Sequence, residues 1–71
     1  MTKENKEKLA KFLKEKGTNT MVLFYDQVDD RRIDLDVWYE KSDGNIYIAG
    51  DEGELYEFSE LELIDERVLN F

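Results

Sequence analysis

Arg32, Asp34, Asp36, Trp38 and Glu40 occupy alternate positions of one stretch. On an extended chain they project from one side about 6.6 Å apart, at roughly 3.3 Å of rise per residue. A tryptophan among carboxylates suits contact with an Arg-rich or Lys-rich protein surface, because the ring supplies desolvated area and the charges supply steering. Further carboxylates follow at Asp51, Glu52, Glu54, Glu57, Glu60 and Glu62. Together with the first set they could imitate phosphates and occupy a nucleic-acid site. The competing readings are structural: Trp38 packs beneath an N-terminal helix, and the charges solvate a strand edge and deter edge-to-edge aggregation.

Other chemistries are poorly served. The chain has no His and no Cys, so it lacks thiolate and imidazole ligands for zinc, a thiol nucleophile and the commonest general base. Ser42 and Ser59 have no histidine to activate them, and Gly50 with Gly53 does not form a phosphate loop before a helix. Asp26, Asp29 and Asp30, or Asp43 with Asn45, offer oxygen ligands without the twelve-residue order of a calcium loop. Hydrolysis by a carboxylate pair needs a pocket that so small a chain has little volume to build. The expectation is a protein without catalytic residues, metal or cofactor.

Composition bounds the rest. Seventy-one residues make a single domain, 1–71, of a size at which folding buries only about 60% of the unfolded surface. An apolar fraction of 41%, including four Phe, four Tyr and one Trp, argues against wholesale disorder. No apolar run approaches the roughly 18 residues of a membrane helix, and the N-terminus is Lys-rich without a signal-like apolar stretch, which points to the cytoplasm and away from membranes. The 18 acidic and 10 basic side chains leave a net charge of −8. Residues 1–16 carry six Lys and three Glu, and the remainder carries four basic and fifteen acidic groups, so a +3 head precedes a −11 body. Such a body repels phosphate backbones and points to basic protein surfaces; solubility alone is the plainer reading.

Residues 3–16 contain no β-branched residue, with Thr2 placed to cap a helix and Gly17 placed to end it, so a helix is expected over 2–17. Leu9, Phe12 and Leu13 give it one narrow apolar stripe, and Glu4–Lys8 and Glu7–Lys11 are favourable i,i+4 pairs. A β meander is expected over 20–71. Thr20 to Tyr25 is a continuous apolar run that suits a central strand covered on both faces. After a loop at Asp26 to Asp30, Ile33, Leu35, Val37 and Tyr39 alternate with the polar set, giving one core face and one wet face. Ser42-Asp43-Gly44 signals a hairpin turn into a third strand, Asn45 to Ala49. Leu55, Tyr56 and Phe58 suggest a fourth strand, and Val68 with Leu69 a terminal sixth; between them Ser59 and Glu62 have the capping-box spacing of a short helix, whereas Leu61, Leu63 and Ile64 favour one tight turn at Ser59 and a fifth strand. The fold class is therefore α+β: an N-terminal helix followed by a strongly bent antiparallel sheet of about five strands.

That layout resembles the Sm-like arrangement of the small SH3-type barrel, and residues 54–64 look like the strand, one-turn corner and strand that close such barrels. The resemblance implies RNA binding through basic or amide loop side chains, but the matching loops here, 26–30, 42–45 and 50–53, are acidic. In size, charge and lack of cysteine the chain is similar to small acidic phage proteins that inhibit restriction enzymes, CRISPR effectors or uracil-DNA glycosylase. The leading expectation is a small binding protein that inhibits or adapts a basic, nucleic-acid-handling partner through Asp34, Asp36, Trp38, Glu40, Asp51, Glu52, Glu54 and Glu57, as a monomer or homodimer without direct contact to nucleic acid. The alternatives are an Sm-like or SH3-like structural module that oligomerises or scaffolds, and nucleic-acid binding through the Lys-rich helix.

Overall fold

The Oγ1 of Thr2 accepts a hydrogen bond from the Asn5 N–H at 3.1 Å, filling one of the donors that every helix start leaves open. Helix α1 follows over Lys3–Lys16, with Glu4 and Lys8 paired at 3.8 Å. The structure, a computed structural model, describes residues 1–16 and 19–71. The expected stop at Gly17 lies outside the described residues. Leu9, Phe12 and Leu13 are at most 3% exposed, so the narrow stripe docks fully on the body. Lys6 and Lys14 rest over the rings of Phe58 and Tyr39 at 5.1 and 5.0 Å, and Lys8 donates to the Leu69 carbonyl at 3.2 Å.

The body is a curled four-stranded antiparallel sheet, a half-barrel, with strand order β3-β2-β1-β4. Its strands are β1 (Thr20–Asp26), β2 (Arg31–Glu40), β3 (Asn45–Ala49) and β4 (Leu61–Leu63). Register places Val22 opposite Leu35, Phe24 opposite both Ile33 and Leu63, and Val37 opposite Ile48. These side chains share the face on which α1 sits, and together with the helical stripe they form the core. Helix and curled sheet thus realise the expected α+β class.

Three expectations change. The fourth strand is reduced to one bridge between Ala49 and Leu55. Tyr56 and Phe58 turn against the core instead, because a single 3-10 turn, Phe58–Glu60, closes by a bond from the Glu60 N–H to the Glu57 carbonyl and breaks the ladder. Turn and β4 together match the expected corner and strand at residues 59–63. Val68 and Leu69 are helical: α2 (Glu66–Leu69) is capped by Asp65, and its buried Val68 closes the core. Strand β1 is central in the sheet but covered on one face only, since Met21 is 46% exposed.

Two acidic residues lie inside. Asp26, expected in a loop, is the last residue of β1 and 2% exposed; its Oδ1 accepts from the N–H groups of Val28 and Asp29 at 3.0 and 3.3 Å, fixing the turn into β2. Asp65 holds the other end of the body. Its carboxylate accepts from the Leu23 N–H at 3.1 Å, the Arg67 N–H at 3.1 Å and the Arg67 guanidinium at 3.0 and 2.7 Å. Arg67 in turn donates to the Met21 carbonyl at 2.8 Å. Hydrogen bonding from Arg67 holds the Asp65 carboxyl below its ordinary value, against the opposing effect of burial.

Candidate functional site

The strand alternation that buries Ile33, Leu35, Val37 and Tyr39 necessarily turns Arg32, Asp34, Asp36, Trp38 and Glu40 to the opposite face. Helix α1 packs on the other face, and the start of α2 only borders this one. Register sets the rows across it: Trp38 opposite Tyr47, Asp36 between Met21 and Ala49, Asp34 opposite Leu23, and Tyr25 between Arg32 and Glu62. An aromatic and aliphatic band therefore crosses the sheet, interrupted by carboxylates. Trp38 lies on the side away from α1, so the expectation that it packs beneath the helix fails for a reason of parity.

Trp38 has an aromatic partner on the neighbouring strand. Its ring stacks on Tyr47 with centroids 5.8 Å apart and planes 20° from parallel. The Tyr47 hydroxyl donates to Oδ2 of Asp43, whose Oδ1 accepts from the Asn45 N–H at 2.9 Å and shapes the β2–β3 turn, with Gly44 at a φ of 72°. The phenol bond holds the Asp43 carboxyl below its ordinary value, and the same bond pushes the Tyr47 hydroxyl up. At neutral pH the pair is thus a carboxylate and a neutral phenol, and the tyrosine ring is fixed against the tryptophan. In Tyr47→Phe, the Asp43 carboxyl is expected to titrate closer to 3.8, the ordinary value. Side-chain carboxyl shifts followed by NMR through an acid titration check this; an unmoved Asp43 midpoint would contradict it.

Asp34, Asp36, Trp38 and Glu40 come together on this face as the sequence predicts. Glu40 is partly committed to its own turn, since Oε1 accepts from the Ser42 hydroxyl at 3.1 Å. Asp51, Glu52, Glu54 and Glu57 do not join the face; they belong to the irregular connection leaving the edge of β3. Glu54 serves that loop: Oε2 accepts from the Glu52 N–H at 3.1 Å, and its backbone carbonyl accepts from the Gly50 N–H at 2.8 Å.

Sequence reasoning missed Met21, Leu23, Tyr25 and Tyr47; it named Glu62 among the phosphate-like carboxylates and Asp43 as a turn residue and candidate oxygen ligand, without placing either beside the other residues of this face. For β3 the signal was available: counting back from the turn puts Tyr47 opposite Trp38. For β1 it was not, because an unbroken apolar run does not say which of its faces stays open. Among the described residues, no group of three or more acidic side chains is close enough to hold a metal ion, and no helix is long and apolar enough to cross a membrane. No family model, curated protein or solved structure matches the chain.

Proposed function

We propose that the chain is a non-enzymatic binding protein that takes a basic partner on the outer face of its sheet, and that this partner handles nucleic acid, as the target of a small phage-encoded inhibitor would. The observation that carries the reading is the Trp38–Tyr47 stack, braced by the Tyr47–Asp43 bond, on the sheet face away from α1, with Asp36 in the next row and Asp34 in the row beyond. A pre-ordered aromatic anchor contributes contact area without a large ordering cost, and carboxylates beside it favour Lys and Arg on the approaching surface. Seating of Lys6, Lys8 and Lys14 on the body favours this face over the helix as the contact surface.

Capture from cell lysate on immobilised wild type and on Asp34→Lys/Asp36→Lys tests the reading. The wild type is expected to retain basic nucleic-acid-binding proteins that added DNA or RNA displaces, and the variant to retain them about tenfold less or worse, because two negative charges on the anchor's face become positive. Identical partners on both columns would end the proposal.

A second reading has an observation of its own. The last strand lies beside the first, a one-turn 3-10 corner precedes it, and β3 and β4 form the two margins of the sheet. This supports an Sm-like or SH3-like module that assembles through strand edges. Sedimentation at micromolar concentration separates the two: a ring or stable dimer favours the module, and a monomer favours the outer-face binder.

A further inference from the structure

A groove of about 780 Å³ opens on the same face, beyond the Trp38–Tyr47 stack. Leu23, Tyr25 and Ile64 line its apolar part. Arg32 and Asp34 from β2 line it with Glu62 from β4 and the Asp65–Glu66–Arg67 segment at the start of α2. Leu23 and Tyr25 follow from parity, being the open-face residues of β1; Ile64 is brought beside them by the bond from its N–H to the Leu23 carbonyl at 3.3 Å.

The charges of the groove are unequal. Four carboxylates meet two guanidinium groups, a net of two negative charges. Arg67 is spent on Asp65, with which it forms a two-point pair at 3.0 and 2.7 Å, and its remaining attraction is to Asp34. Among the described residues, Asp34, Glu62, Glu66 and Arg32 take part in no ion pair within 4.0 Å, so three such carboxylates outweigh one guanidinium. An apolar floor with unpaired carboxylates on its rim matches one kind of side chain: a long aliphatic stem that ends in a cation.

We propose that this groove receives a lysine or arginine from an extended basic segment of the partner, with the stem lying on Leu23, Tyr25 and Ile64 and the cation between Glu62 and Glu66. The inference rests on the outer-face reading and adds to it the site at which a partner's basic side chain is read. Asp34 lines the groove and is reversed in the capture experiment, whereas Glu62 and Glu66 are not, so it is the Glu62→Gln/Glu66→Gln variant that tests the groove apart from the outer-face reading.

The probe is a blocked pentapeptide, acetyl-Gly-Val-Arg-Val-Gly-amide, titrated into the isotope-labelled protein and followed by amide shifts. Saturable shifts are expected at Leu23, Tyr25 and Ile64, with affinity falling about fivefold or more in Glu62→Gln/Glu66→Gln and unchanged in Leu55→Ala, a change on the connection leaving β3. Thermal melting of each variant verifies that it remains folded, and a peptide with Glu in place of Arg is expected not to bind. Shifts centred on Trp38 and Tyr47, equal binding of the Glu peptide, full affinity in the double variant or no binding at all would each overturn the groove assignment. Changes that track protein concentration rather than peptide would also overturn it, by making a second copy of this chain the occupant.

Discussion

Asp65→Ala is expected to destabilise the fold by about 3 kcal/mol, because it removes a helix cap and leaves a part-buried strand N–H without its acceptor. Strand β4 ends at Leu63, so beyond it the Leu23 N–H on the edge of β1 depends on the Asp65 side chain. The same carboxylate orders α2 through the Arg67 N–H, and α2 brings Val68, which is 0% exposed, into the core. One side chain thus ties the last segment to the sheet. A domain of this length holds about 4–10 kcal/mol in total, and each kcal/mol moves its melting temperature by about 4–8 °C, so a drop of about 15 °C is the expected reading.

The contribution also depends on pH. The unfolded carboxyl titrates near the ordinary 3.8, and Arg67 holds the folded one lower. The unfolded state therefore binds the proton first; the stabilisation is fully present above 3.8 and is lost as pH falls through the lower folded value. Acidification also relieves the self-repulsion of a chain carrying −8. For that reason the useful quantity is the difference in unfolding free energy between wild type and Asp65→Asn. It is expected to be constant from neutrality down to about pH 5 and to shrink below about pH 4. A difference that stays level through that range would show that the carboxylate charge contributes nothing.

Phe24→Ala carries the second large effect, about 3–5 kcal/mol. Phe24 is the largest fully buried side chain, 0% exposed at the centre of β1, opposite Ile33 on one side and Leu63 on the other. Its loss opens a cavity where β1, β2 and β4 meet. With so little total stability, a sizeable unfolded fraction is expected at 25 °C, and urea unfolding should begin with almost no native baseline. Leu55→Ala is the control: Leu55 is 72% exposed and contributes one bridge, so its unfolding midpoint is expected to lie near that of wild type. A native baseline of ordinary length in Phe24→Ala would contradict the placement of the core.

The elements legible in the sequence are those that local patterns determine. Thr2 and the Leu9–Phe12–Leu13 stripe define α1 without help from the rest of the chain, and strict alternation over 32–40 assigns each residue of β2 to a face. The Ser42-Asp43-Gly44 turn then follows from its residue types. Elements that depend on distant partners were not legible. Leu55, Tyr56 and Phe58 have strand-like composition, yet the turn that follows takes the chain away from β3 after a single bridge. Val68 and Leu69 read equally well as strand or helix until Asp65 is seen to cap α2. Among eighteen acidic residues, nothing in composition singles out Asp26 and Asp65 as buried, because that follows from the strand ends and Arg67 geometry around them. The candidate site shows the same division: β2 supplied Asp34, Asp36 and Trp38 and the turn count reaches Tyr47, whereas Met21, Leu23 and Tyr25 enter only through the pairing of β1 with β2.

Trp38 is the sole tryptophan, so replacing it with 5-fluorotryptophan places a single fluorine reporter beside the Tyr47 stack. The most direct test of the outer-face claim is the fluorine NMR spectrum of that protein as a captured basic partner is added. The account predicts that the one resonance shifts or broadens in step with complex formation measured by sedimentation, and that DNA able to displace the partner restores it. A complex that forms fully while the resonance keeps its position and width would place the contact elsewhere on the molecule and contradict the account.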